Sequence, residues 1–219
     1  MNAADVPHTD HLSEGRQVCL RFLQDIYEVS ATLGTRTYIW GGLVIDILQG
    51  EFLRDHRDVD GFTLNLLDVK DEMAARFAGR GYAASWQDDV DILRIDKNGL
   101  HAVFNRLELE GDLAMWRHVG EQGTLFFPAD WLDPAPRSFY GVPVHVSGVR
   151  FEYAIKSSVR LLNPEWKPRD KDRAALRYLS AELERTGHDP AHVLSQVWSE
   201  TPFWVDKGYP EYATRITAT

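Results

Sequence analysis

The apolar positions of the chain change period several times, and each change marks an element. From Ser13, Val18, Phe22, Ile26, Val29 and Leu33 recur every three or four residues, which predicts an amphipathic helix closed at Gly34. Thr37 to Trp40 reads as a short strand, interrupted by Gly41-Gly42. Leu43, Ile45, Ile47 and Leu48 ahead of Gly50 predict a short buried helix. A charged turn from Arg54 to Asp58 leads into an alternating run from Val59 to Leu66, a strand that opens on carboxylates. Val69 to Gly79 reads as a second amphipathic helix. Asp91 to Ile95 and Leu100 to Leu107 flank Asp96-Lys97-Asn98-Gly99 and predict a hairpin, because Asn-Gly supplies the positive φ angles of a tight turn. Gly123 to Phe127 and Val142 to Ser147 are further strand candidates, separated by a loop containing Pro128, Pro134 and Pro136.

Beyond Gly148 the texture is helical: Phe151 to Leu162, Lys171 to Arg185 and Ala191 to Ser199, punctuated by Pro164, Pro168 and Pro190. A boundary is therefore expected near residue 148, with residues 14–148 forming an α+β core and 149–219 a C-terminal helical subdomain. The 219 residues and 44% apolar content suit a chain that buries a substantial core.

Twenty-four Lys and Arg against 33 Asp and Glu give a net charge of −9, which repels phosphate backbones and anionic membranes at long range. That balance argues against a nucleic-acid partner and favours a neutral or cationic small molecule. The single cysteine, Cys19, excludes an intrachain disulfide and a thiolate zinc cluster, and sits in the first predicted helix as a core residue rather than a nucleophile. With no signal-peptide pattern in Met1 to His11 and no apolar run long enough for a membrane span, the expected compartment is the reducing cytoplasm. His188 and His192 are spaced by four but straddle Pro190, and no Glu completes a zinc-hydrolase motif. Trp116, Trp131, Trp166, Trp198 and Trp204 offer an aromatic lining for a cleft between the core and the helical part, or core packing.

The chemistry concentrates in Gly41-Gly42 and in Arg54-Asp55-His56-Arg57-Asp58-Val59-Asp60. Side chains at i and i+2 of a strand share a face, which places the Asp58 and Asp60 carboxylates about 7 Å apart along one edge. Two such oxygen donors suit Mg²⁺, which binds one or two carboxylates and completes its shell with water and substrate phosphates. Gly-Gly lets backbone approach a phosphate closely. Arg54 and Arg57 offer forked donors to phosphate or surface ion pairs. His56 either orients a carboxylate or holds the turn, and Asp46 lies on an apolar helix face as a buried polar group or a functional one.

The order of strand, Gly-Gly, apolar helix and Arg-x-His-x-Asp-x-Asp resembles the nucleotidyltransferase superfamily with the polymerase-β-like core. The likeness is strongest to small aminoglycoside and lincosamide nucleotidyltransferases, through Trp40 to Asp46 and Arg54 to Asp60; Lys156 with Arg169 to Leu176 resembles a helical segment that follows the core there. The resemblance implies an α+β fold with a mixed sheet. It implies that Gly41, Gly42, Arg54 and Lys156 meet a nucleoside triphosphate, that Asp58 and Asp60 ligate Mg²⁺, and that a nucleoside monophosphate passes to a hydroxyl of a small, antibiotic-like acceptor. A third carboxylate is expected on the second hairpin strand, where this chain has His101, with Val103 and Asn105 on the same face and Leu100, Ala102 and Phe104 in the core. Three explanations follow: His101 serves as the base, one of Asp91, Asp96 or Glu108 takes the place, or the fold binds a ligand or partner without transfer. A toxin or antitoxin type of relative is a narrower alternative.

Overall fold

The computed structural model describes residues 11–88, 91–117, 124–158 and 167–200. Helix α1 (Glu14–Thr32) starts where the Ser13 hydroxyl accepts the Arg16 amide, and lays Phe22, Leu23, Ile26 and Val29 against the sheet. Strand β1 (Thr37–Trp40) enters α2 (Gly42–Gln49), which ends at the left-handed Gly50. Strand β2 (Asp58–Leu64) starts with its two carboxylates and stops earlier than the alternation predicts, because Asn65 turns the chain with φ 53° into α3 (Leu66–Gly79). Strands β3 (Ala83–Gln87), β4 (Ile92–Lys97), β5 (Leu100–Glu110), β6 (Leu113–Arg117) and β7 (Thr124–Pro128) follow, then β8 (Arg137–Phe139) and β9 (Val142–Val146). Helices α4 (Gly148–Ser157), α5 (Asp170–Arg185) and α6 (Pro190–Ser195) and strand β10 (Trp198–Glu200) complete the described chain.

The strands form one mixed ten-stranded sheet in the order β10-β7-β6-β5-β2-β1-β9-β8, with β4 on β5 and β3 on β4. The long β5 organises it. One edge runs parallel to β2 from His101 to Leu107; the other pairs first with β4 and then with β6. One apolar cluster joins α1, α2 and α3 to the sheet through Phe22, Val44, Phe77 and Phe104. A second joins Tyr38, Phe62, Leu107, Trp116 and Phe127 to Phe151 and Ile155 of α4 and Leu183 of α5. The C-terminal helices therefore share a core with the strand that carries Asp58 and Asp60. Among the described residues no helix is long and apolar enough to cross a membrane.

Several expectations are corrected. The hairpin turn is only Asn98-Gly99, with φ 53° and 76°, so Asp96 and Lys97 belong to β4. Helix α6 ends at Ser195, and residues 198–200 pair with β7 instead of extending it. Pro190 sits at its first turn, where a missing amide proton costs nothing. Asn105 shares a face of β5 with His101 but is buried there, donating to the Gly61 carbonyl (3.4 Å), so it is not open to the site. Trp116 and Trp131 are core residues; Trp166 and Trp204 lie outside the described residues, as do 159–162 of the expected helix after Gly148.

Candidate active site

Antiparallel pairing of β1 with β2 sets Trp40 opposite Asp60, so the chain must reverse beside a carboxylate as it passes into α2. Only glycine allows this. Gly41 has φ 86°, and a Cβ there would stand 2.8 Å from Asp60 Oδ2. The Gly41 amide is already committed: it donates to Glu152 Oε1 at 2.8 Å, as does the Ser147 hydroxyl, also at 2.8 Å. Gly41 thus makes room for Asp60 and does not leave its N–H for phosphate. Gly42 makes room for Arg54, whose Nη2 would lie 2.6 Å from a Cβ.

Glu152 is the residue that reading the sequence missed. It is fully buried under Gly41, and its second oxygen lies 3.5 Å from Lys156 Nζ one helical turn on. Burial raises its carboxyl above the usual range, against the pull of Lys156. The available signal was a Glu one turn ahead of a Lys on a helix face otherwise occupied by Phe151 and Ile155.

Asp60 titrates abnormally. Burial first, then the Asp58 and Glu152 carboxylates, push it up to about 6, while Lys156 opposes them. Asp58 is exposed at the strand entrance. The pair is a concentration of negative charge on a half-dry surface, which a divalent cation would relieve. Among the described residues no group of three or more His, Cys, Asp or Glu is placed to hold a metal ion. The donor set fits Mg²⁺ in its two-carboxylate form, with the remaining positions supplied by water and phosphate oxygens.

Asp46 and His56, ambiguous in the sequence, form one buried unit. Asp46 Oδ2 accepts from the Leu53 amide at 2.9 Å and meets His56 Nε2 at 2.8 Å, with side-chain exposures of 3% and 1%. This pair draws the loop after α2 back over the helix, which brings Arg54 against Gly42 and delivers the chain into β2. His56 therefore holds the turn and does not face a phosphate.

These elements wall a cavity of about 510 Å³. Asp58, Asp60, Gly42 and Arg54 line it from the core side, Lys156 from α4, and Arg169, Lys171 and Asp172 from the start of α5. Asp172 caps α5 by accepting from the Arg169 amide (2.9 Å) and pairs with its guanidinium (2.7 Å). Burial, then Arg169 and Arg54, lower the Lys171 ammonium, as expected where cations crowd without enough anions. Such a cluster suits a polyphosphate. Arg57 lies away from this cavity, its carbonyl accepting the His101 amide at 2.8 Å.

His101 is the register partner of Asp58 in β2 and of Asp96 in β4, so Asp58, His101 and Asp96 form a row across three strands. Its Nδ1 meets Asp96 Oδ1 and lies 3.2 Å from Arg94 Nη2; Arg94 grips Asp96 at 2.8 and 2.9 Å and holds its carboxyl down at about 2. Of the three acids near the hairpin, only Asp96 lies in this row. Asp91 and Glu108 both pair with Arg106.

A family model described as aminoglycoside-2''-adenylyltransferase matches residues 22–177, well over half of the chain. The chain belongs to the aminoglycoside-2''-adenylyltransferase family. Its fold is that of nucleotidyltransferases. The solution structure of the antibiotic-resistance factor ANT(2'')-Ia superposes with a TM-score of 0.62 at 14% identity, covering 91% of this family member and 97% of that chain. The crystal structure of ANT(2'')-Ia in complex with adenylyl-2''-tobramycin gives 0.60 at 13% identity, over 87% and 99% of the two chains. Lincomycin-bound LnuA, a lincosamide antibiotic adenylyltransferase, gives 0.53 at 16% identity, over 74% and 94%. No curated protein matches the sequence.

Proposed function

We propose that this family member transfers a nucleoside monophosphate from a nucleoside triphosphate to a hydroxyl of a small antibiotic-like acceptor. The observation that carries this reading is the Asp58 and Asp60 pair, with Asp60 pushed up to about 6 by burial first and then by Asp58 and Glu152, at the wall of a cavity where Arg54 and Lys171 gather positive charge. Asp58 and Asp60 would hold Mg²⁺, which when bound supplies charge neutralisation for the triphosphate and its leaving pyrophosphate. Arg54, Lys156 and Lys171 bind phosphate oxygens, and Gly42 allows Arg54 to lie close. Lys156 exchanges its 3.5 Å contact with Glu152 for a phosphate when substrate enters.

The acceptor oxygen attacks the α-phosphorus as its proton passes to His101 Nε2. The bond from the α-phosphorus to the bridging oxygen breaks, and pyrophosphate carries away the electron pair. Asp96 on Nδ1 keeps the other ring nitrogen of His101 directed outward and steadies the imidazolium that forms. The net charge of −9 favours a cationic or neutral acceptor over a polyanion. The division into a core of residues 14–148 and a helical part of 149–219 is functional in this reading: carboxylates come from the first and most phosphate-binding cations from the second. In a reducing cytoplasm the buried Cys19, pushed up to about 12 by burial and by Asp46, stays a thiol.

The test is pyrophosphate release from ATP, GTP, CTP and UTP with Mg²⁺, using tobramycin and lincomycin as acceptors, with the acceptor product weighed by mass spectrometry. A nucleotidylated acceptor that disappears in Asp58→Asn and Asp60→Asn is expected. Product formation undiminished in both variants refutes the assignment of the carboxylates.

A further inference from the structure

The cavity beside Asp58 is a slot between two helices whose two ends differ in chemistry. Its walls are α2, presenting Gly42, Ile45 and Gln49, and α5, presenting Lys171, Ala175 and Tyr178. At 1.5 Å per residue, Gly42 to Gln49 and Lys171 to Tyr178 each span about 10 Å of helix axis. The near ends coincide: Lys171 is close enough to Asp58 and Arg54 for both to act on its charge. The far ends also run the same way, toward β8. The α2 side continues into Phe52, whose ring stacks 5.5 Å from Tyr140 and meets Phe139 at 4.8 Å; the Tyr178 side feels the charge of Arg137. All the acids and bases that line the slot other than Tyr178 belong to its near half or, like Asp46, are engaged in a buried pair.

The lining residues that remain at the far end carry no charge, and Arg137, Glu182 and Arg185 act on Tyr178 from outside the lining. Leu53 is 50% exposed, one of only a few large apolar side chains among the described residues left in solvent, and it hangs over the slot. Its amide is pinned to Asp46, so the side chain is presented by a fixed loop. Tyr178 faces the same space from α5, half-buried, and Gln49 adds an amide that can donate and accept together. An apolar side chain, an aromatic ring and one amide form a suitable surface for a flat heteroaromatic ring with polar edges.

We infer that this uncharged end, Leu53 and Tyr178 with Gln49 at its edge, seats the nucleobase of the triphosphate, which makes these three side chains the determinants of nucleotide affinity and base preference. The inference rests on the proposed function, since it assumes that the charged end takes the phosphates. It assigns each end of one ligand to the end of the slot that matches it: polyphosphate to Arg54, Lys156 and Lys171, base to Leu53 and Tyr178. A Gln amide can pair with any base edge that offers an adjacent donor and acceptor.

Isothermal titration of ATP and of inorganic tripolyphosphate, each with Mg²⁺, into wild type, Leu53→Ala, Tyr178→Ala and Tyr178→Phe tests this. Wild type is expected to bind ATP more tightly than tripolyphosphate. Tyr178→Ala weakens ATP about tenfold, within the range found for removing an aromatic stacking partner, Leu53→Ala weakens it by a comparable factor, roughly tenfold, through lost apolar burial, and both leave tripolyphosphate within about twofold; Tyr178→Phe, which keeps the ring, keeps ATP affinity. Leu53 is exposed enough that its truncation leaves the fold intact. Equal binding of ATP and tripolyphosphate by wild type overturns the base seat alone, as do parallel losses of both ligands in the alanine variants. A folded wild type that binds neither ligand overturns the proposed function and the seat with it.

Discussion

Asp60→Asn should make the protein more stable while removing its activity. The carboxyl is pushed from its ordinary 3.8 up to about 6, by burial first and then by Asp58 and Glu152. At about 1.4 kcal/mol per tenfold change in acidity, that displacement corresponds to roughly 3 kcal/mol against the ionised native state. Solvent still reaches part of the side chain, so about 1–2 kcal/mol is the sounder expectation. Asparagine keeps the shape and removes the charge. For a chain of this length 1 kcal/mol moves the melting temperature by about 2–4 °C, so the gain at neutral pH should be about 2–8 °C.

The pH dependence carries the proof. Because its native pKa is raised, the folded protein holds the Asp60 proton over a range where the unfolded chain has lost it. Wild-type stability from this group therefore falls as pH rises from about 4 to about 6, and the penalty is complete above that window. The melting-temperature gap between Asp60→Asn and wild type, measured in EDTA, should be near zero at pH 4, open through pH 6 and stay level from pH 7 to 8. Addition of Mg²⁺ should narrow it, since a cation held by the carboxylates stabilises only the wild type. A variant that melts at or below wild type at pH 8, or a gap that does not change with pH, refutes the reasoning.

Other perturbations separate the parts of the site. His101→Ala should lower kcat about 100-fold, within the usual range for a lost general base, with the KM for ATP within about twofold, as read by pyrophosphate release; undiminished turnover removes His101 from the mechanism. His56→Ala leaves Asp46 buried without one of its two hydrogen-bond partners and should cost about 2 kcal/mol in urea unfolding, whereas a loss below about 1 kcal/mol would show that the Leu53 amide alone satisfies Asp46. Gly41→Ala should destabilise the fold by at least about 1–2 kcal/mol from its positive φ alone and displace Asp60, giving an inactive protein with a lowered melting temperature. Gly42→Ala meets only the movable end of Arg54, so it should melt like wild type but bind ATP more weakly by isothermal titration.

Legibility in the sequence followed distance along the chain. Asp58 and Asp60 were readable as a pair because a strand's period puts both on one face; Gly41, Gly42 and Arg54 were joined to them only through the family resemblance, and Gly41 serves Asp60 and Glu152 instead of a phosphate. Asp46 and His56 are ten residues apart, yet their pairing was not readable, since either alone fits several local roles. Glu152 lies 111 residues from the Gly41 amide it accepts, and local pattern carries nothing about such a contact. Among strands, the alternation of β2 and β5 announced them. Strand β6 buries Ala114, Met115 and Trp116 in succession, so it has no period of two to find, and β3 has too few apolar residues to register. Strand β10 exists only because the edge of β7 is available to pair with it.

The third hairpin position shows how sheet register changes an argument from residue type. Taken alone, His101 in place of a carboxylate is a loss of negative charge beside Asp58. The sheet adds a neighbour that the linear order places in a turn: Asp96, one strand farther out, is held ionised at about 2 by Arg94 and touches His101 Nδ1. The row still contains a second carboxylate, displaced by one strand with an imidazole between. On the proposed reading this placement has an electrostatic advantage. Asp60 is already pushed up to about 6 by burial and its neighbours, and a third carboxylate in contact with the pair would raise it further and hold a proton where a cation is needed. An imidazole there is not a third anion, and Asp96 on Nδ1 is placed to neutralise the charge that arrives with the acceptor's proton. His101→Asp, which places that extra carboxylate beside Asp58, should therefore shift the acid limb of the pH–rate profile to higher pH. An unmoved limb would show that the carboxylate pair does not sense the charge at this position.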